Sequence, residues 1–174
     1  MSGRRVTSAF CLLAGAALAI GSRFFWTQEH SPTRDSIAVV GRRLPPLPVV
    51  DSSGNHVDLS QVVPGRRTVI AFFSSSCRTC RVVLPELHPF PDSLRLLLVS
   101  EDATNSTGEA SGPGFEGVIT FRDRRSVFVR SFPLSPLPTI LFVDERGILR
   151  GGFAGVQGRE QVQARLQKFA EGDL

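Results

Sequence analysis

Two cysteines, Cys77 and Cys80, stand three apart in the segment FFSSSCRTCRVVLP. In a first helical turn this spacing sets the α-carbons about 5–6 Å apart, a separation a disulfide spans without strain. The pair follows a β-forming run, Thr68–Ser74, and precedes a helical one, so Cys77 falls at a helix start. Unpaired backbone N–H groups there stabilise a thiolate, the attacking species in disulfide exchange. Cys77 is therefore the expected nucleophile and Cys80, one turn inward, the expected resolving thiol. Arg78 beside Cys77 is expected to stabilise the thiolate further. The chemistry would be two-step exchange with protein thiols or disulfides: a mixed disulfide forms through Cys77, and Cys80 then resolves it.

Other uses of such a pair fit less well. Zinc would ask for a second CxxC or CxxH, but His30, His56 and His88 are single and scattered. A copper chaperone, which would want Met or His nearby, meets only Met1 and a His88 eight residues past Cys80. A peroxiredoxin-like peroxidase usually carries Thr and Pro just before its reactive cysteine, where this chain has Ser74-Ser75-Ser76. No cofactor beyond the cysteine pair is expected, and no metal. The third cysteine, Cys11, lies in an apolar segment and reads as a small apolar residue.

The elements that must hold the pair can be read on either side of it. Leu47–Val50, a turn at Asp51–Asn55, and His56–Leu59 predict a hairpin. TVIAFFS at Thr68–Ser74 predicts a central strand buried on both faces. Ser74-Ser75-Ser76 offer N-capping oxygens to a helix running from Cys77 to about Pro89, bent at Pro85. Leu94–Ser100 predicts a second buried strand, Glu101–Gly114 a loop, Val118–Phe121 a short apolar stretch and Ser126–Phe132 a short helix. Thr139–Asp144 and Ile148–Phe153, joined by a turn at Glu145-Arg146-Gly147, predict an antiparallel pair. Gln157–Ala170 closes the chain as an amphipathic helix with Val162, Leu166 and Phe169 on one face. The order β-α-β, then α-β-β-α, requires a mixed sheet.

The chain has 174 residues and a net charge of +4, with Lys168 its only lysine. The arginines are scattered and there is no tyrosine, which argues against nucleic acid as a partner. Residues 1–5 carry Arg4 and Arg5, and residues 6–22 are apolar up to Arg23. That is the lower limit for a spanning helix, with charge at the start and Phe24-Phe25-Trp26 at the far end. A single-pass inner-membrane anchor with a cytoplasmic N-terminus is the expected reading; a cleaved signal peptide is the alternative. Both put the remainder outside the cytoplasm, in the periplasm or secreted. Residues 23–40 read as a linker and 41–174 as one domain, large enough for an ordinary core.

The strand–CxxC–helix order, Pro85 five residues after Cys80, and Pro138-Thr139 heading a later strand resemble the thioredoxin superfamily. The lead-in Gly41, Pro45, Asp51-x-x-Gly54, Leu59 and the Asp144-x-x-Gly147 turn resemble its membrane-tethered TlpA/ResA-like branch. FFSSSCRTCRVVLP is also similar to the active-site segment of the methylamine-utilisation protein MauD. The resemblance covers about residues 41–170. It implies an α/β, thioredoxin-like fold: a central mixed β-sheet flanked by helices, with an N-terminal β-hairpin extension and an N-terminal transmembrane helix. It also implies a cis bond at Pro138 beside the cysteines, with Leu137, Pro138 and Thr139 contacting the substrate and the Leu137 backbone free to pair with an extended partner segment. A membrane redox partner is implied as well.

This chain departs from the family pattern in three places. Ser76 stands where an aromatic residue often precedes the first cysteine, Ala71 where thioredoxin has a buried acid, and Val83 where ResA-like proteins have a glutamate. Glu86, Glu101 and Asp102 are the candidates to replace the missing carboxylate, each also readable as a surface charge. The direction of exchange is open: a reductant would keep apo-cytochrome or metal-site cysteines reduced, and an oxidant or isomerase would help form disulfides in a secreted protein. A charge at Arg78 favours the thiolate, hence the reduced form, and leans towards an oxidant.

Overall fold

A computed structural model of the chain describes residues 40–102, 118–123, 128, 130 and 136–174. The expected anchor at 6–22, the linker up to residue 39, the loop beyond Asp102 and most of the helix expected at Ser126–Phe132 lie outside the described residues. Among the described residues no helix is long and apolar enough to cross a membrane.

The strands are β1 (Pro48–Val50), β2 (His56–Asp58), β3 (Thr68–Phe73), β4 (Arg95–Ser100), β5 (Ile119–Arg122), β6 (Thr139–Val143) and β7 (Leu149–Ala154). The helices are α1 (Leu59–Val62), α2 (Arg78–Val83), a 3-10 turn at Leu84–Leu87, and α3 (Arg159–Glu171). The described strands form one mixed sheet in the order β2-β1-β5-β4-β3-β6-β7. β3 pairs parallel with β4 from Thr68↔Arg95 to Phe73↔Ser100, and antiparallel with β6 from Thr68↔Val143 to Phe72↔Thr139.

All six residues of β3 are buried. Alternation divides them between two cores. Val69, Ala71 and Phe73 face a cluster built with Cys80, Val83, Leu84, Leu87, Val162, Leu166 and Phe169. Ile70 and Phe72 face the other, with Leu44, Leu47, Leu59, Val63 and Phe128. The period-2 side-chain geometry of a strand makes an unbroken apolar run suitable only where both faces are covered.

Both expected hairpins form. The second turns on Asp144, whose Oδ1 accepts from the Arg146 and Ile148 amides at 2.9 and 2.8 Å, with Gly147 at φ +77°. α3 stops at Gly172, φ +95°, whose amide reaches the Lys168 carbonyl at 3.0 Å. Arg67 donates to the carbonyls of Phe169 and Ala170, both at 2.9 Å, which ties the end of α3 to the start of β3.

Two features differ from the sequence expectation. The apolar stretch near residue 118 is a strand: β5 runs parallel to β4 and meets β1 at Val50↔Arg122. The first hairpin is thereby joined to the main sheet as its edge. Four residues reading ITFR alternate but are too few to announce a strand; the open edge of β4 supplies the partner. The helix after the cysteines is also shorter than expected. Pro85 lacks an N–H and cannot continue the α-helical ladder, so the chain tightens to a 3-10 turn at Leu84. The His88–Pro89 bond just beyond is cis.

Candidate functional site

The two cysteines sit where β3 hands over to α2, at the carboxyl end of the parallel strands. They are joined as a disulfide with α-carbons 5.3 Å apart. Cys77 is half-buried, while Cys80 is 1% exposed and packs among Val83, Leu84 and Leu87. That difference decides which sulfur a second protein can reach. Cys77 is itself the N-cap of α2, its Sγ accepting from the Cys80 amide at 3.0 Å. The bond that favours a thiolate at the helix start is thus present.

The serines do not act as expected. Ser74, Ser75 and Ser76 do not cap α2; Asp102, at the end of β4, gathers the first two. Its Oδ1 accepts from the Ser74 hydroxyl at 2.7 Å, and its Oδ2 from the Ser75 amide at 2.8 Å and the Ser100 hydroxyl at 3.0 Å. The Ser74 and Ser76 hydroxyls lie 3.0 Å apart. A carboxylate binds these donors more strongly than a weak hydroxyl cap could bind the helix. Burial pushes the Asp102 carboxyl up, but the hydrogen bonds from Ser75, Ser74 and Ser100 outweigh it and hold the group below its ordinary value of 3.8. Asp102 therefore pins the loop that leads into Cys77.

Replacing Asp102 with Ala is expected to cost about 1–3 kcal/mol at neutral pH, because it strips a charged acceptor from three donors. The sign with pH follows from the lowered carboxyl. Its contribution is present above the unfolded value and lost as pH falls through the lower folded value. Urea denaturation at neutral pH should separate Asp102→Ala from wild type, and the gap should narrow in acid. A gap that stays constant into acid would rule out the charged acceptor as its origin.

The other candidate carboxylates take different roles. Glu86 pairs with Arg159 at 3.4 Å. Burial, then the charges of Asp123 and Asp102, push Glu101 up, and its Oε1 is buried with no hydrogen-bond partner. The Glu101 amide continues the ladder to the Phe73 carbonyl at 2.9 Å. Strand alternation then carries residue 101 to the face of Leu97 and Val99, away from the Cys80 core.

Pro138 heads β6, is buried, and its bond to Leu137 is cis. The Phe72↔Thr139 pairing sets this segment beside the end of β3, and Leu137 packs on the same apolar cluster as Cys77. The Gly155 amide donates to the Pro138 carbonyl at 2.9 Å, and the Thr139 hydroxyl to the Pro136 carbonyl at 2.8 Å. Arg78 is exposed. The structure thus gathers Leu137, Pro138, Thr139 and the cysteine pair at one end of the sheet. The Asp102 anchor was missing from the sequence reading, where an acid 28 residues from Ser74 gives no local sign of its target.

No family model matches the chain. Over 167 residues it is 24% identical to the thiol-disulfide oxidoreductase ResA of Geobacillus kaustophilus, covering 91% of this chain and 90% of that protein. Solved structures share its fold, among them two described as disulfide-exchange proteins. One, assigned as the thiol:disulfide interchange protein DsbE from Chlorobium tepidum, superposes with a TM-score of 0.62 at 18% identity, covering 75% of this chain and 97% of the other. The second is a secreted disulfide oxidoreductase of Mycobacterium tuberculosis, homologous to E. coli DsbE. It gives a TM-score of 0.58 at 13% identity over 69% of this chain and 93% of the other. Fold, cysteine geometry and relatives agree: the chain has a thioredoxin-like fold, is similar to the ResA proteins, and is a thiol–disulfide oxidoreductase.

Proposed function

We propose that the chain exchanges disulfides with protein partners outside the cytoplasm, through Cys77 as the attacking and attacked sulfur. The observation that carries this reading is the asymmetry of the pair: Cys77 half-buried, Cys80 enclosed. In the reducing direction the Cys77 thiolate attacks a partner disulfide. A Cys77–partner bond forms and one partner thiolate leaves. The Cys80 thiolate then attacks the Cys77 sulfur, closing Cys77–Cys80 and releasing the second partner thiol. Two electrons pass to the partner, and each released thiolate takes up a proton from water. The oxidising direction is the same sequence reversed.

Leu137, Pro138 and Thr139 would seat the partner segment beside Cys77, with the Leu137 backbone available for strand-like pairing. Arg78 would favour the thiolate, and hence an oxidising pair; being exposed and screened, it contributes little. The apolar residues 6–22 support placement outside the cytoplasm, tethered to the inner membrane, with a membrane redox protein restoring the pair after each cycle. The ResA alignment covers more of this chain than residues 41–174 alone provide, so it reaches into the segment before the domain.

Trapping tests the reading. In Cys80→Ser the second step is lost, so mixed disulfides should accumulate through Cys77, visible as reductant-sensitive adducts on non-reducing gels. The same adducts in a Cys77→Ser/Cys80→Ser double variant would overturn the assignment.

A further inference from the structure

We infer that the partner segment docking at Cys77 is acidic, with carboxylates flanking its own cysteine; this rests on the exchange reading above. α2 divides cleanly. Cys80 and Val83 point into the core, while Arg78, Arg81 and Val82 are exposed, Val82 by 61%. Positions i, i+3 and i+4 share one helix face, so the two guanidiniums and the valine make one outward stripe in the helix that Cys77 caps.

Most arginines elsewhere in the fold are engaged. Arg67 holds Glu145 and two carbonyls, Arg95 the Thr68 hydroxyl and the Val63 carbonyl, Arg150 holds Asp144, and Arg159 holds Glu86. Arg78 and Arg81 have no hydrogen bond or ion pair to any described residue. The neighbouring acids do not neutralise them. Asp102 is taken up by Ser74, Ser75 and Ser100, Glu86 faces Arg159, and Glu101 turns to the other side of the sheet. Two unmatched cations beside the reactive sulfur raise the local concentration of an anionic segment and accelerate its encounter. Val82 offers that segment an apolar contact beside the charges.

The test uses the reduced full-length protein and two synthetic peptides. Each peptide carries one cysteine as its mixed disulfide with thionitrobenzoate, flanked by glutamates in one and lysines in the other. Cys77 and Cys80 together supply two electrons. The peptide–thionitrobenzoate bond is cleaved to two thiols, and Cys77–Cys80 closes, so coloured thionitrobenzoate reports the rate. The glutamate peptide should react about tenfold faster at low ionic strength, and the ratio should approach unity in about 1 M salt. Arg81→Glu should lower the low-salt ratio severalfold. Equal rates for the two peptides at low salt would overturn the acidic-partner inference and leave the exchange reading standing. Failure of both peptides to react would overturn both.

Discussion

Cys77→Ser is expected to lower turnover of a protein disulfide by about a thousandfold or more, whereas Cys80→Ser should spare the first attack. A serine hydroxyl is not ionised at neutral pH and cannot form the sulfur–sulfur bond on which the exchange depends. Cys80 cannot take over, because it is 1% exposed and walled in by Val83, Leu84 and Leu87. The bond from the Cys80 amide to the Cys77 sulfur also survives the Cys80→Ser change, since it comes from the backbone. Cys77 should therefore be alkylated by iodoacetamide in Cys80→Ser much faster than Cys80 is in Cys77→Ser. Insulin reduction measures turnover, and mass spectrometry of the alkylated chain identifies the sulfur. Comparable alkylation of the two cysteines would remove the division of labour between them.

The reach of sequence reading here follows the range of the interactions involved. β3 was legible because six consecutive buried residues state their environment in their own side chains. The cysteine pair was legible because its spacing is a local geometric fact, and α3 because Val162, Leu166 and Phe169 repeat with the helix. The cis bond at Pro138 came from resemblance, since an isolated Leu137-Pro138 permits either isomer. What escaped was set by distant partners. β5 is a strand because β4 offers it an edge, and Asp102 is an anchor because β3 and β4 end side by side. Arg67 looked like one more scattered cation, yet it joins β3 to carbonyls about a hundred residues away. The stripe of Arg78, Arg81 and Val82 likewise stands out only once most of the other described arginines have found partners.

The scaffold and the site should also come apart experimentally. Phe142→Ala is expected to destabilise the fold by about 3–5 kcal/mol, a large share of the stability of an ordinary domain. Its ring is 1% exposed, 5.1 Å from the Phe169 ring and 6.2 Å from the Phe153 ring, so it joins β6 to both β7 and α3. Truncation opens a cavity among three elements whose backbones are fixed by the sheet and by the Arg67 tie. Urea denaturation should show a lower midpoint with an unchanged slope. Phe142 pairs with Val69, towards the far end of β6 from Pro138, while the cysteines follow the opposite end of β3. The loss should therefore fall equally on the oxidised and reduced forms. The glutathione equilibrium of Cys77–Cys80 should then move by less than about twofold, as expected of independent positions. A larger shift would mean that the site is held by the packing of β6 on α3, and that the Asp102 anchor is insufficient to fix the entry to Cys77.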